Sequence, residues 1–377
     1  MKKLCYLLGT AMIYFLLIFV QNVRADELQD LRIIPGVSLS ETYDDNIFNA
    51  HAGTKSDFIT NVIAGLSLAY KDELKRFEAK AGMTQQFFWD HHDQNNTGAD
   101  LGLAYAQELS KYDRVSLSER FSTSYEPANF EDQFGRTLGR YRYYANEIIV
   151  EYIRDVAKQT QVKAFYSNVI DAFSVSEIKD SYTNTVGLEA DHSLSEETAL
   201  IGLVEFSRRD FQEGASASRA RILAGLQQDL TKQLSMEARV GVDIFDSYRD
   251  DPLRKPYVRF SLTDAFDELT QASVSIERQY DLNPHAEDIF KEWRLVADFT
   301  RQPVKKFSYT ASVFTGEGRY VVSGLRDTFF GAGFDCSLRL TEKMKLIAAY
   351  QYSTVDSNET GREYDKHKFM LGLEMEF

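Results

Sequence analysis

The chain is 377 residues long, 13% aromatic and 27% charged, with a formal net charge of −14. An acidic balance of this size excludes nucleic acid as a partner, because phosphate binding needs a basic footprint. Two cysteines in the whole sequence exclude a disulfide framework as the source of stability.

Residues 1–25 read as a signal peptide. Lys2 and Lys3 precede an apolar run from Leu4 to Val20, and Val23 and Ala25 occupy the small-residue positions before a cut. Cys5 stands too early in that run to be an acylated lipoprotein cysteine. Losing Lys2, Lys3 and Arg24 takes the formal charge from −14 to −17 and leaves Cys336 as the single cysteine. Residues 26–377 are then expected to form one domain. No linker, low-complexity tract or long charge run divides them, and phenylalanine and tyrosine recur throughout.

In chain order, "PGVSLSETYDDNIF" sets Val37 and Leu39 against Ser38 and Ser40, and "YDDN" marks where a first strand leaves an apolar layer. "DFITNVIAGLSLAY" follows from Ser56 and Asp57 as a second strand. Further on, Leu101, Leu103 and Tyr105 oppose Asp100, Gly102 and Ala104. Met236, Ala238, Val240, Val242 and Ile244 oppose Glu237, Arg239, Gly241 and Asp243. A period of two gives each segment one apolar and one wet face.

Tight turns are expected near Lys71–Leu74, Ser110–Asp113, Asp155–Lys158, Ser195–Glu197, Thr231–Gln233, Phe266–Glu268, Gln302–Lys305 and Thr341–Lys343. Longer connections alternate with them, the longest being Pro127–Gly139. Eight turns and nine loops predict an all-β fold, a closed antiparallel transmembrane β-barrel of about 18 strands (16–18). After the signal peptide no apolar run is long enough for a membrane helix. Closure is the physical requirement, since hydrocarbon leaves no partner for the backbone of an open sheet edge. Tyr70, Tyr105, Tyr125 and Tyr166 are expected near strand ends, at the aromatic girdles, and Cys336 toward lipid.

The last segment, "KHKFMLGLEMEF", puts Phe369, Leu371, Leu373, Met375 and Phe377 on one face. It resembles the closing strand of bacterial outer-membrane barrels, whose terminal aromatic is read by the barrel-assembly machinery. That resemblance implies outer-membrane lipid as the surroundings and a Gram-negative outer membrane as the location.

The wet faces supply the lumen-lining candidates. They are Glu78, Lys80, Asp100, Glu108, Arg120, Glu147, Glu151, Lys163, Glu189 and Asp191 in the first half. The second half adds Arg219, Arg221, Glu237, Arg239, Asp243, Arg259, Glu277, Arg294, Asp298, Asp335, Arg339 and Lys345. A wall of both signs fits either a lumen closed by ion pairs or a hydrated channel, and a barrel of about 18 strands is wide enough for the second.

No catalytic motif or phosphate loop is present, so no enzyme activity and no cofactor are expected. Asp44, Asp45 and Asp57 are weak metal candidates. Their spacing fits no EF-hand, and Asx-type turns explain such clusters more simply. His91 and His92 point to opposite sides of an extended chain, which makes joint ligation awkward.

Tyr43, Asp44, Asp45 and Asn46, within "PGVSLSETYDDNIF", together with "SDFITNVIAGLSL", resemble the N-terminal signature of the putative beta-barrel porin-2 family. They are also similar to outer-membrane proteins associated with exosortase and exopolysaccharide loci. Ala64 precedes Gly65 where relatives often carry proline. The resemblance implies export of surface polysaccharide together with periplasmic export proteins, and it carries over no catalytic residue. A general diffusion porin and a structural or adhesive barrel with partner-binding loops are the alternatives. Few charges stand in Pro127–Gly139, so any gate is expected from wall side chains or a bound partner.

Overall fold

The computed structural model describes residues 31–125, 140–175, 178–212, 214–246, 252–282 and 288–377. The expected signal peptide and the loop Pro127–Gly139 lie outside the described residues. The strands are β1 (Arg32–Asp44), β2 (Asp57–Lys71), β3 (Lys75–Phe88), β4 (Asn96–Glu108), β5 (Asp113–Ser124) and β6 (Tyr143–Ala157). There follow β7 (Thr160–Phe173), β8 (Ser181–Ser193), β9 (Thr198–Phe211), β10 (Ser216–Asp229), β11 (Leu234–Asp246) and β12 (Leu253–Asp267). The last are β13 (Thr270–Leu282), β14 (Ile289–Val304), β15 (Phe307–Tyr320), β16 (Arg326–Arg339), β17 (Met344–Ser357) and β18 (Tyr364–Glu376).

Each strand pairs antiparallel with the next, and β1 pairs with β18 from Gly36↔Glu376 to Asp44↔Lys368. The 18-stranded sheet is therefore closed, and each strand has a neighbour on both sides. Directly opposite residues share a face, so the registers carry each face around the barrel. One row runs Lys80↔Gly102↔Arg120↔Glu147 on the lumen side. On the outside Leu39 meets Leu373, Val37 meets Met375 and Tyr43 meets Phe369. Leu39, Leu371 and Phe369 are exposed. An apolar exterior around a charged interior inverts a soluble protein and fits lipid.

All eight expected turns fall at connections between the strands. Near Asp155, Phe266 and Gln302 the strands run further into the turn than expected. Register shifts at Asp155/Ala157, Asp264/Asp267 and Arg301/Val304 absorb an extra residue there, which hides the strand end from a period-two reading. Between β2 and β3 the Asp72 carboxylate accepts the Leu74 N–H at 2.7 Å and the Tyr70 hydroxyl at 2.8 Å. The Tyr70 hydroxyl, against a small opposing effect of burial, holds this carboxyl below its usual range. Tyr166 departs from the expected girdle. It stands in the middle of β7, where its hydroxyl donates to Asn184 Oδ1 at 2.7 Å.

Candidate functional site

All the charged residues expected to line the lumen fall on one continuous face. The ladder registers place Glu78, Lys80, Asp100, Glu108, Arg120, Glu147 and Glu151 there on β3 to β6. They place Arg219, Arg221, Glu237, Arg239, Asp243, Arg259 and Glu277 on the same face of β10 to β13. Arg294, Asp298, Asp335 and Arg339 complete it on β14 and β16. Phe369, Leu371, Leu373 and Met375 face outward, and the Phe377 N–H extends the seam by donating to Pro35 O at 3.0 Å. Cys336 also faces outward, between Tyr309 and Ala348.

The lumen has two unlike halves. Toward the short turns, Lys80, Asp335 and Arg339 are exposed, and Arg259, Asp100 and Arg120 are exposed further along their strands. A recess of about 400 Å³ opens between Glu78, Lys80, Ser118, Arg120 and Glu147. Also near the turn ends of their strands, Lys163 pairs with Glu189 at 2.8 Å. Arg239 lies over Gly225 and reaches Glu189 at 3.2 Å and Glu237 at 2.8 Å. Gly225 has a local reason to be glycine, because a Cβ there would crowd the Arg239 stem.

Toward the loops the same face is buried, beneath three sets of contacts. After Asp44 the chain turns inward, so that Ile47 packs on the lumen-facing Ile59 and Phe88. The signature residues build this turn. Asp44 Oδ1 accepts the Asn46 N–H at 3.0 Å, and the Asn46 side chain bridges the Ala50 and Asp365 carbonyls at 2.9 and 3.0 Å. Asp45 accepts the His367 N–H at 2.7 Å, and Asp44 pairs with Lys366 at 3.1 Å. Asp57 accepts backbone N–H groups from Trp89, Asp90 and His91 and lies 2.9 Å from His91 Nδ1. The three carboxylates are thus spent on loop and seam, not gathered for a cation. Among the described residues no group of three or more His, Cys, Asp or Glu is placed to hold a metal. The remaining signature residue, Tyr43, is outside, its ring centroid 5.0 Å from that of Phe58.

In the second, Arg362 in the β17–β18 loop reaches Asp327 at the start of the neighbouring β16 at 2.8 Å, along the rim. The third is made by the ends of β13 and β14. The β12–β13 ladder stops at Val258↔Arg278, although β12 stays on β11 to Leu253 and β13 stays on β14 to Leu282. Freed from β12, the described ends of β13 and β14 lie over the lumen face of β10 and β11. Tyr280, Leu282 and Ile289 pack on Ala217 and Phe245, which face the lumen from β10 and β11. Asp288 braces the start of β14 by accepting the Val322 and Ser323 N–H groups at 2.7 and 2.9 Å. The Arg219 guanidinium meets Asp281 at 2.8 Å, and Arg221 donates to Tyr280 O at 3.3 Å.

Besides wall side chains, the ends of two strands lie over the buried lumen face near the loops. Sequence reasoning missed Asp171, Glu205, Arg209 and Asp281, which share this cluster with Arg219 and Arg221. Arg208 and Arg209 are adjacent, and only the ladder tells which points inward. The register Thr183↔Arg209 puts Arg209 inside, 3.6 Å from Asp171.

A family model described as putative beta-barrel porin 2 matches residues 155–253, from the end of β6 to the start of β12. The match falls on the middle strands, not on the N-terminal stretch that carries the sequence resemblance. No curated protein matches the sequence. Among solved structures the chain is similar to Pseudomonas aeruginosa OccK2 (OpdF), with TM-score 0.52, 8% identity and coverage of 93% of this chain and 98% of that one. It is similar to P. aeruginosa OccK1 (OpdK), with TM-score 0.50, 10% identity and coverage of 92% and 99%. It is also similar to the FrpB iron transporter of Neisseria meningitidis, with TM-score 0.50, 9% identity and coverage of 93% and 83%. The first two cover nearly the whole of both chains and share the fold. The described strands of this chain therefore form a closed 18-stranded antiparallel β-barrel similar in fold to OccK2 (OpdF), and residues 155–253 match the putative beta-barrel porin 2 model.

Proposed function

We propose that this protein is a gated channel of a Gram-negative outer membrane that passes hydrophilic solute outward, with surface polysaccharide as its cargo. The observation that carries this reading is the asymmetry of the lumen. Short turns mark the periplasmic end of such barrels and longer loops the outer end. Charged groups of the lumen are exposed toward the turn end, and the lumen face is buried at the loop end. Solute can therefore load from the periplasm before the gate moves.

A wall of mixed charge with serine and glycine between the charges favours a hydrated polymer that must slide without binding tightly. Energy and direction would come from periplasmic export proteins. The signal peptide would deliver the chain to the barrel-assembly machinery, and the closing strand β18 would be the segment read there. No enzymatic step and no cofactor belong to this reading.

Two experiments test it together. The mature chain refolded in a planar bilayer should show brief openings that polysaccharide added at the turn side blocks transiently. Deletion in the cell should remove surface polysaccharide and leave small-solute uptake unchanged. Lost uptake with normal polysaccharide would instead establish a diffusion porin. A folded barrel that never conducts would establish a structural one.

A further inference from the structure

The outward face of β13–β16 gathers positive charge at its loop end. Lys291 on β14 stands directly opposite Arg319 on β15, and Arg319 directly opposite Arg326 on β16. One rung further into the wall, Arg278 on β13 is opposite Trp293 on β14. In a chain of net charge −14, four cations on four adjacent strands need a reason. Like charges directly opposite one another weaken a ladder, so such a row is costly unless an anion lies against it.

The wall supplies one such anion. Glu317, opposite Trp293, reaches Arg319 at 3.2 Å and Arg326 at 2.7 Å. Its side chain is 15% exposed, while those of Arg319 and Arg326 remain 46% and 51% exposed. Two guanidinium groups thus share one carboxylate and keep donors free for a second acceptor. Among the described residues no ion pair forms at Lys291 or Arg278. Asp356, outward on the next strand β17, is opposite Thr328 and pairs with none of the four.

Below the cations the wall is apolar. Ile276, Leu295, Thr315 and Phe330 make the next outward row, and Val313 and Phe334 lie exposed beneath it. Cations at the rim above an apolar slope match a lipid, with its headgroup on the cations and its chains on the slope. The loop end is the outer end, so the headgroups in reach are those of the outer leaflet. Arginine's planar fork suits phosphate oxygens, and basic clusters at a membrane surface hold anionic headgroups. A soluble anion would gain nothing from the slope.

We propose that the outer rim of β13–β16 binds a phosphate-bearing lipid headgroup of the outer leaflet. Arg319 and Arg326 hold the phosphate, with Lys291 and Arg278 beside it. Glu317 draws the two arginines together and offsets part of their charge. The site lies on the outside of the barrel and stands whether or not the lumen conducts.

The two tryptophans of the chain provide the test. Trp293 stands in the patch, and Trp89 is 60% exposed, its ring centroid 5.8 Å from that of the outward Phe58. The mature barrel is reconstituted in phosphatidylcholine vesicles doped with phosphatidate brominated near the top of its chains. Bromine quenches only the tryptophan that it touches. With Trp89→Phe, quenching of Trp293 should show phosphatidate preferred about tenfold over brominated phosphatidylcholine. With Trp293→Phe, Trp89 should show no preference. Arg319→Gln with Arg326→Gln should abolish the preference at Trp293, and Glu317→Gln should raise it. If the double variant does not fold, salt at about 1 M on the parent barrel gives the same readout.

Equal ratios at the two tryptophans, or a Trp293 ratio unmoved by the double substitution or by salt, would overturn the site. Loss of the preference to millimolar inorganic phosphate at matched ionic strength would mean a site for soluble phosphate and overturn the lipid assignment. A clear preference in a barrel that never conducts would support the site and refute only the channel.

Discussion

At the residue scale, the carboxylates of "YDDN" turn a recognisable sequence stretch into a lock on the barrel seam. Asp44 is fully buried and Lys366 is 4% exposed, on strands at opposite ends of the chain that meet only because the sheet closes. Asn46 and Asp45 tie the same loop to the backbone of Asp365 and His367. Removing one partner of such a pair leaves the other charge buried and poorly compensated. Asp44→Ala should lower the stability of the folded barrel by about 3 kcal/mol. The measurement is the urea midpoint at which the compact, heat-modifiable gel band disappears. An unchanged midpoint would mean that the seam does not depend on this pair.

At the element scale, aromatic rings and glycines fit together on the lumen faces of β7–β8 and β14–β16. The Phe165 ring lies over Gly187, Phe314 over Gly331, Phe329 over Gly316 and Phe290 over Gly318. Each ring lies over a glycine on the neighbouring strand, directly opposite for Phe165, Phe314 and Phe329 and diagonal for Phe290, so the missing Cβ gives the ring its place on the wall. Gly331→Ala would drive a methyl into the Phe314 ring and should cost about 1–3 kcal/mol. Gly102 on β4 faces the lumen with nothing near its missing side chain, so Gly102→Ala should stay within about 0.5 kcal/mol of the parent. Urea titration of both variants checks the contrast, and equal costs would refute the packing argument.

At the scale of the whole molecule, the pleat makes neighbouring residues report on different solvents. Cys336 faces lipid, and Ser337 faces the lumen opposite Ser308 and Ile347. In liposomes Cys336 should react with a lipid-soluble maleimide and resist a charged one. With Cys336→Ala, Ser337→Cys should show the reverse preference. Reversal of both preferences would mean that the faces have been assigned the wrong way round.

Much of this architecture was legible in the chain. Strand number, the alternation of turns and loops, the lumen row from Glu78 to Arg339 and the outward face from Phe369 to Met375 all follow from a period of two. That pattern survives because every strand separates the same two media, so each residue's solvent is set by local parity. Ladder bulges at Asp155, Asp264 and Arg301 already escaped it, since one extra residue changes parity without changing composition. The mouth escaped it altogether. Whether β13 stays on β12 beyond Arg278, which of Arg208 and Arg209 turns inward, and whether Asp281 meets Arg219 are decided by strands far apart in sequence. Contacts of that kind have no period, and their energies come from charges and rings that only the closed barrel brings within reach.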